Sequence, residues 1–266
     1  MLSDIPKLLK AGTLPALVSS CTVYTPMQPH APMVRARGEG EAQLEVQFTG
    51  RAEVKAAYSP VKHVLVLGGA TARPGIPLGR TSQDKFSTLQ YEAGLGAYFP
   101  LANHWTIQGM AGTGAGSAQR TVSEFGLLLA FSNNYDARYH KEYGQLGFTH
   151  QAQRISIGFG YRLTQVGFKE LSAQDLHEPF IRYQLPLDKQ LRHEPYAFCR
   201  HSLGTQNRWQ LQVSTAWSVT VPGRGLVDPY TEVAHRARFN RGASLLLGAG
   251  VIFRPSLWSP DATASW

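Results

Sequence analysis

Apolar and polar residues alternate strictly along much of this chain. Residues 43–49 read Gln-Leu-Glu-Val-Gln-Phe-Thr, and residues 155–164 and 209–220 follow the same rule. Because successive side chains of a strand point to opposite faces, a period of two predicts strands with one apolar and one polar face. About ten such segments, within a range of roughly eight to twelve, lie between residues 43 and 254, and none has a helical stripe. The pattern predicts an all-β protein.

The connections between these segments alternate between short and long. Only the first turn, at Gly50, departs from the rule. Short connections at one end and long loops at the other are typical of antiparallel barrels that cross a membrane. The short connections are residues 59–61, 100–103, 150–153 and 204–207, and the predicted long loops are residues 73–88, 116–136, 170–193 and 221–242.

Aromatic side chains collect beside the short connections. An aromatic residue with one apolar and one wet side suits the boundary between lipid chains and headgroups, so we predict an aromatic girdle at this end. The alternative is an ordinary aromatic core, since aromatic residues are common in every sheet. The predicted girdle residues are Tyr58, Phe99, Trp105, Trp209 and Phe253.

The polar strand faces are rich in Gly, Ser, Thr and Gln rather than in Lys and Glu. A face in contact with bulk water usually carries more charge, so this composition indicates a narrow polar lumen. Charges inside such a lumen need partners, and we predict a polar network of Glu92, Arg138, Glu142 and Arg162. About ten strands leave little space, which favours a plugged lumen over an open pore.

Several segments resemble small outer-membrane β-barrel proteins of Gram-negative bacteria, and the resemblance covers residues 41–258. It implies an antiparallel up-and-down transmembrane β-barrel in the cell outer membrane. The segments that carry it are Ala57-Tyr58-Ser59-Pro60, Gly94-Leu95-Gly96-Ala97-Tyr98, Gly158-Phe159-Gly160-Tyr161-Arg162 and Gly250-Val251-Ile252-Phe253-Arg254.

The N-terminal residues 1–21 have the order of a secretory signal, with two lysines before a modest apolar stretch that ends in small residues. Val18-Ser19-Ser20-Cys21 resembles the lipobox of bacterial lipoproteins, which implies cleavage before Cys21 and attachment of lipid to its thiol. The alternative is a short helical or disordered N-terminus with an incidental cysteine. Residues 22–40 are proline-rich and predict an extended linker, and residues 259–266 form a C-terminal tail.

The chain carries a net charge of +8, but its Lys and Arg residues are spread over the whole length, so we predict no nucleic-acid partner. His177-Glu178 and His193-Glu194 begin like a zinc-protease motif. The second histidine is absent from both, and a proline follows each pair, which excludes the required helix. The chain also lacks a Gly-x-Ser-x-Gly elbow. We therefore predict no catalytic residues, no metal site, no cofactor and no enzymatic activity.

The combined prediction is a non-enzymatic integral outer-membrane barrel with a structural or surface-binding role. Its partners would be the outer-membrane lipid and a surface ligand that contacts the long loops. Two alternatives remain. A lipocalin-like barrel, soluble or tethered by lipid, would bind an apolar ligand in a dry apolar interior. An outer-membrane lipid-modifying enzyme would place a Ser/His/acid cluster within hydrogen-bond reach on the barrel wall.

Overall fold

Antiparallel strands make up most of the protein. The computed structural model describes residues 24–75, 85–102, 104–125, 130–175, 182–184, 189–204, 208–221 and 243–255. The strands are β1 (Gly40–Gln47), β2 (Ala52–Tyr58), β3 (Val64–Arg73), β4 (Lys85–Pro100), β5 (Trp105–Phe125), β6 (Ala130–Gln151), β7 (Ile155–Asp175), β8 (Arg182–Gln184), β9 (Lys189–Leu203), β10 (Trp209–Val221) and β11 (Ser244–Phe253).

The sheet closes on itself. Neighbouring strands follow the chain from β1 to β7, continue through β9 and β10 to β11, and return to β1, with every pair antiparallel. The three-residue β8 pairs only with β7, so ten long strands form the barrel within the described residues. The prediction of an antiparallel up-and-down barrel of about ten strands is confirmed. Among the described residues, no helix is long and apolar enough to cross a membrane.

The two ends of the barrel differ. At one end, called here the turn end, residues 59–63, 101–104, 152–154 and 204–208 connect the strands. The opposite end, called here the loop end, contains the connections after β3, β5, β7 and β10. The tight β1–β2 turn also lies at the loop end, where Gly50 has a φ of 77°, a left-handed conformation that favours glycine.

The loop predicted at residues 116–136 is instead a long hairpin. β5 continues to Phe125 and β6 starts at Ala130, while β7 runs to Asp175 and β9 starts at Lys189, which also shortens the loop predicted at residues 170–193. The prediction was wrong because the alternation of apolar and polar residues fades there. Strands that extend past the lipid have water-compatible residues on both faces, so hydrogen bonding continues where the period-two signal stops.

The barrel is apolar outside and polar inside. Large apolar side chains such as Leu44, Leu95, Phe159, Leu211 and Val251 are exposed on the outer face. The inner face carries glycines together with many buried polar or charged side chains, among them Gln43, Glu45, Gln210 and Gln212. This is the reverse of a lipocalin-like barrel, which needs an apolar interior, so that alternative is not supported.

Candidate functional site

The outer face has the properties of a lipid contact surface. All the predicted girdle residues lie on it near the turn end, and Trp209 contacts Phe253 across the strand pair with ring centroids 4.6 Å apart. The ring centroids of Trp105 and Phe159 lie 6.3 Å apart. On the outer face of the described chain, apolar side chains such as Leu44, Leu95 and Leu211 follow these rings toward the loop end, and the closed sheet pairs each barrel strand with two neighbours. The protein is an integral β-barrel of the outer membrane.

This surface makes a testable prediction about charge on the lipid-facing side. Val213 is 65% exposed on β10 between Leu211 and Trp217. We expect Val213→Arg to lower the free energy of unfolding in lipid vesicles by about 2–4 kcal/mol, because arginine is costly near the bilayer midplane. The matched control is Gln165→Arg on β7, past the last apolar outward residue Leu163, where we expect a cost of about 0–1 kcal/mol. Equal costs in urea titrations would contradict the lipid-facing assignment.

Glu92 on β4 is the centre of one buried ion cluster inside the barrel. Its carboxylate accepts hydrogen bonds from both terminal nitrogens of Arg162 at 3.2 Å, and the Nζ of Lys141 lies 2.9 Å from it. Arg162 also donates to Gln145 and lies over the ring of Tyr143, 4.2 Å from its centroid. One carboxylate therefore serves two buried cations, and its loss would leave both uncompensated.

A second cluster joins β1 and β2. The Nζ of Lys55 lies 2.7 Å from Glu53 and 3.2 Å from Glu45, and Arg51 lies 2.7 Å from the other oxygen of Glu53. Ser214 of β10 donates to Glu45 from across the seam with β11. Gly248 lies between them on β11, where an added Cβ would collide with the Glu45 carboxylate. The glycines on the inner face thus make room for long charged side chains of the neighbouring strands.

Two of the four predicted network residues are not in the lumen. Arg138 and Glu142 are exposed on the outer face, whereas Glu92 and Arg162 pair inside. The assignment of Arg138 and Glu142 was wrong because the phase of β6 was misread. The alternation of β6 is unbroken from Tyr135 to Thr149, with the odd-numbered residues facing the lumen. The bulky side chains of Tyr139, Lys141 and Tyr143 consequently point inward.

Residues 24–34, called here the plug, occupy the lumen. They belong to the segment predicted as an extended linker, yet nearly every one of them is buried and none is part of a strand. Tyr24 packs edge-on against Tyr139 near the loop end, with ring centroids 5.1 Å apart. At the turn end, Arg254 donates to the carbonyl of Met33, and Arg35, directly after the plug, donates to the carbonyl of His104. The plug therefore crosses the barrel from end to end.

Wall side chains hydrogen-bond the plug backbone along its length. Near the loop end, Arg51 donates to the carbonyls of Thr25 (3.1 Å) and Pro26, and Gln90 donates to that of Thr25 at 2.7 Å. Farther along the plug, Gln145 donates to the carbonyl of His30 at 2.7 Å and Arg200 to that of Ala31 at 2.9 Å. Arg254 donates to the carbonyl of Met33 at 2.9 Å. Plug N–H groups donate to two wall carboxylates, from Gln28 to Glu53 at 3.2 Å and from Met33 to Glu41 at 3.0 Å. Glu41 also pairs with Arg200 at 3.0 Å and with the plug residue His30 at 3.3 Å.

The proline spacing explains why this segment suits the lumen. Pro26, Pro29 and Pro32 recur every third residue, which matches the three residues per turn of a polyproline II helix. Such a helix has no internal hydrogen bonds, so its carbonyls remain available to the wall. With a rise of about 3.1 Å per residue, the plug would be about 31 Å long, close to the thickness of a bilayer core.

Sequence reasoning missed most of the residues that hold the plug. Glu41, Glu53 and Lys55 could have been found, because they stand on the polar side of the alternation in β1 and β2 and are charged. Arg200 stands between Cys199 and His201 in a less regular segment. Its partner Glu41 lies more than 150 residues earlier, so nothing local signals the pair. Cys21, the predicted lipidation site, lies outside the described residues.

Comparisons with known proteins support no relationship beyond the barrel. No protein-family model and no curated protein matches this chain. Similar solved structures include the outer membrane protease OmpT of Escherichia coli, at 11% identity, covering 81% of this chain and 93% of that one with a TM-score of 0.49. The translocator domain of the autotransporter NalP of Neisseria meningitidis is 8% identical, with coverages of 81% and 86% and a TM-score of 0.42. The toluene transporter TbuX of Ralstonia pickettii is 8% identical, with coverages of 82% and 89% and a TM-score of 0.33. None of these values supports a functional conclusion.

Proposed function

We propose that the protein is a closed, non-enzymatic outer-membrane barrel whose own plug seals the lumen, and that it acts as a scaffold at the cell surface. The observation that carries the proposal is the plug itself, bound at both ends and along its length by the wall. Four buried charged side chains, Arg51, Glu53, Glu41 and Arg200, bind the plug, while Glu92, Lys141 and Arg162 are paired with one another. The lumen therefore serves structure rather than transport.

The scaffold role follows from which end can present a surface. Short connections leave little at the turn end, whereas β5, β6 and β7 extend far toward the loop end. Membrane barrels place their longer connections outside the cell, so the extended sheet would stand above the membrane and offer its surface to a ligand. Outer-membrane lipid would surround the apolar outer face below it.

The test measures two properties of the full-length chain: ion conductance through the lumen, and the reactivity of a cysteine placed inside it. We expect no stepwise conductance when the protein is reconstituted in planar bilayers, because the plug fills the path. We also expect Met27→Cys, in a Cys21→Ser and Cys199→Ala background, to resist a water-soluble maleimide, since Met27 is buried in the plug. Lys62→Cys, exposed at the turn end, is the control that should react. Steady conductance or rapid labelling at position 27 would reject the sealed barrel.

A further inference from the structure

Three arginines, called here the arginine cluster, lie on the inner face of the barrel at the loop end. Arg51 directly precedes β2, Arg73 is the last residue of β3, and Arg120 lies in the last part of β5. The register of β2 and β3 pairs Ala52 with Ala72, so Arg51 and Arg73 follow as the next opposed pair toward the loop end. Like charges at directly opposed positions of an antiparallel pair are destabilising. The cluster therefore lowers stability unless an anion compensates it.

The ring of Phe86 on β4 positions two of these arginines. Arg73 approaches the ring from β3 and Arg120 from β5, with their guanidinium carbons 4.9 and 5.7 Å from its centroid. Phe86 and Arg120 are direct partners across β4 and β5. A cation–π contact holds a guanidinium in place but is not a hydrogen bond, so it leaves the N–H donors of that guanidinium unsatisfied. The ring thus orients cations without neutralising them.

The charges around Arg73 are unbalanced. Glu53 is 2.7 Å from Arg51, but the same carboxylate is also 2.7 Å from Lys55. Within the part of the chain that the structure describes, Arg73 forms no ion pair, and the nearby charges that act on it belong to Arg51 and Arg120, which both repel it. A half-buried guanidinium thus presents its donors at the loop end without a carboxylate to bind them.

Buried polar side chains on both sides of Arg73 also have atoms without a hydrogen-bond partner. On β4, Thr88 is directly opposite Arg73, and its hydroxyl makes no hydrogen bond although the residue is only 5% exposed. On the other side, the Nε of Arg51 is unpartnered in a residue that is 1% exposed. Because buried polar groups are nearly always hydrogen-bonded, these donors indicate a site that a ligand completes.

The donors define the chemistry of that ligand. Guanidinium and hydroxyl groups all donate hydrogen bonds here, so the ligand must supply several acceptors and negative charge. Phosphate and sulfate groups provide both, and arginine binds such oxyanions through paired hydrogen bonds. The inner-face position of Arg73 and Thr88 separates the site from the lipid by the sheet itself, which favours a ligand that arrives from water.

We propose that the arginine cluster binds the phosphate or sulfate group of a water-soluble compound that enters the barrel at the loop end. Arg73 and Thr88 hydrogen-bond the oxyanion, while Arg51 and Arg120 supply further positive charge. The plug begins directly below, since Arg51 also donates to the carbonyl of Thr25, so the ligand is held at the mouth and does not pass through. The inference deepens the proposed surface-binding role, and it rests on that role only in placing the loop end outside the cell.

The first experiment titrates the full-length chain in micelles of an uncharged detergent with inorganic pyrophosphate, followed by isothermal titration calorimetry. We expect Arg73→Gln to weaken binding about 10- to 100-fold, because it removes the charge-assisted hydrogen bonds of the central cation. Arg138→Gln is the matched control. It makes the same change at the loop end of β6, but on the outer face, where Arg138 is paired with Glu170, so it should bind like the wild type.

The second experiment measures urea unfolding in lipid vesicles with and without pyrophosphate. Without the ligand, we expect Arg73→Gln to be at least as stable as the wild type, because it removes a cation that its neighbours repel. With the ligand, the unfolding midpoint of the wild type should rise and that of the variant should not. An arginine with a purely structural role would give the opposite result, a loss of stability that pyrophosphate does not affect.

Equal affinity of Arg73→Gln and Arg138→Gln for pyrophosphate, or a ligand-free loss of stability in Arg73→Gln, would overturn the proposal. Phosphatidylglycerol added to the micelles identifies a lipid headgroup as the source of the oxyanion. If it competes as well as pyrophosphate does, the soluble ligand is rejected. Binding in micelles depends neither on a sealed lumen nor on the orientation in the membrane, so a failure here is distinct from failure of the proposed function, which bilayer conductance tests.

Discussion

Replacing Pro26, Pro29 and Pro32 together by glycine is expected to open the barrel to ions. A proline restricts the backbone of the plug even when the plug has left the lumen, whereas glycine leaves the released plug free to adopt many conformations. This gain in entropy stabilises the released state by about 0.4–1 kcal/mol per site. Three sites would favour release by about 1–3 kcal/mol, which is roughly a 5- to 100-fold larger open population. Brief conductance steps should appear in planar bilayers, and Met27→Cys should become reactive in the same background.

The wall is unchanged in this variant, so its effect can be separated from unfolding. Pro74→Gly/Pro100→Gly is the matched control, because both of these prolines are exposed and lie outside the plug. We expect this control to stay closed. If the triple glycine variant also stays closed and unlabelled, the proline spacing does not hold the plug, and the hydrogen bonds of the wall suffice alone.

Glu92→Gln is expected to cause the largest loss of stability among single changes in the lumen. The neutral amide would leave Arg162 and Lys141 buried beside each other without the carboxylate that compensates both. Breaking a buried ion pair from one side typically costs about 3–5 kcal/mol, and we expect a loss of that size in urea unfolding from lipid vesicles.

Glu142→Gln is the control for this experiment, because it makes the same chemical change at an exposed position on the outer face. A surface change of this kind should cost no more than about 0.5 kcal/mol. Adding Lys141→Met to Glu92→Gln should recover part of the stability, since one buried cation is removed. Equal losses for the two glutamate variants would contradict the outward position of Glu142 on β6.

Much of the fold could be predicted because the two faces of a barrel strand are encoded in its own short sequence. The alternation in residues 155–164 and 209–220 assigns each side chain to a face without knowledge of any neighbour. The same rule predicted the outward positions of Trp209 and Phe253. The short connections predicted where β7 and β10 begin. The extension of β5 and β6 past the lipid could not be read, because it left no difference between the two faces.

The candidate site was predictable only in part. Glu92 and Arg162 stood on polar faces of regular strands, and the structure brings them together across the lumen. Arg138 and Glu142 were misplaced because the expected polarity is reversed in this part of β6, where Tyr139 and Tyr143 face the lumen and the charged residues face outward. The sequence of β6 shows the alternation but not which of its two faces lines the lumen, because that depends on the strands with which it pairs.

The plug shows what the sequence determined and what the tertiary structure decided. The spacing of Pro26, Pro29 and Pro32 determined an extended segment that cannot join the sheet, since proline lacks the N–H group that a strand ladder needs. Whether that segment lay in water or in the lumen depended on Arg51 beside β2, Gln145 of β6 and Arg200 of β9. Only closure of the sheet brings these donors around one axis. The pattern of single strands is local and was determined by the sequence, whereas the occupied lumen depends on distant residues that meet only in the folded barrel.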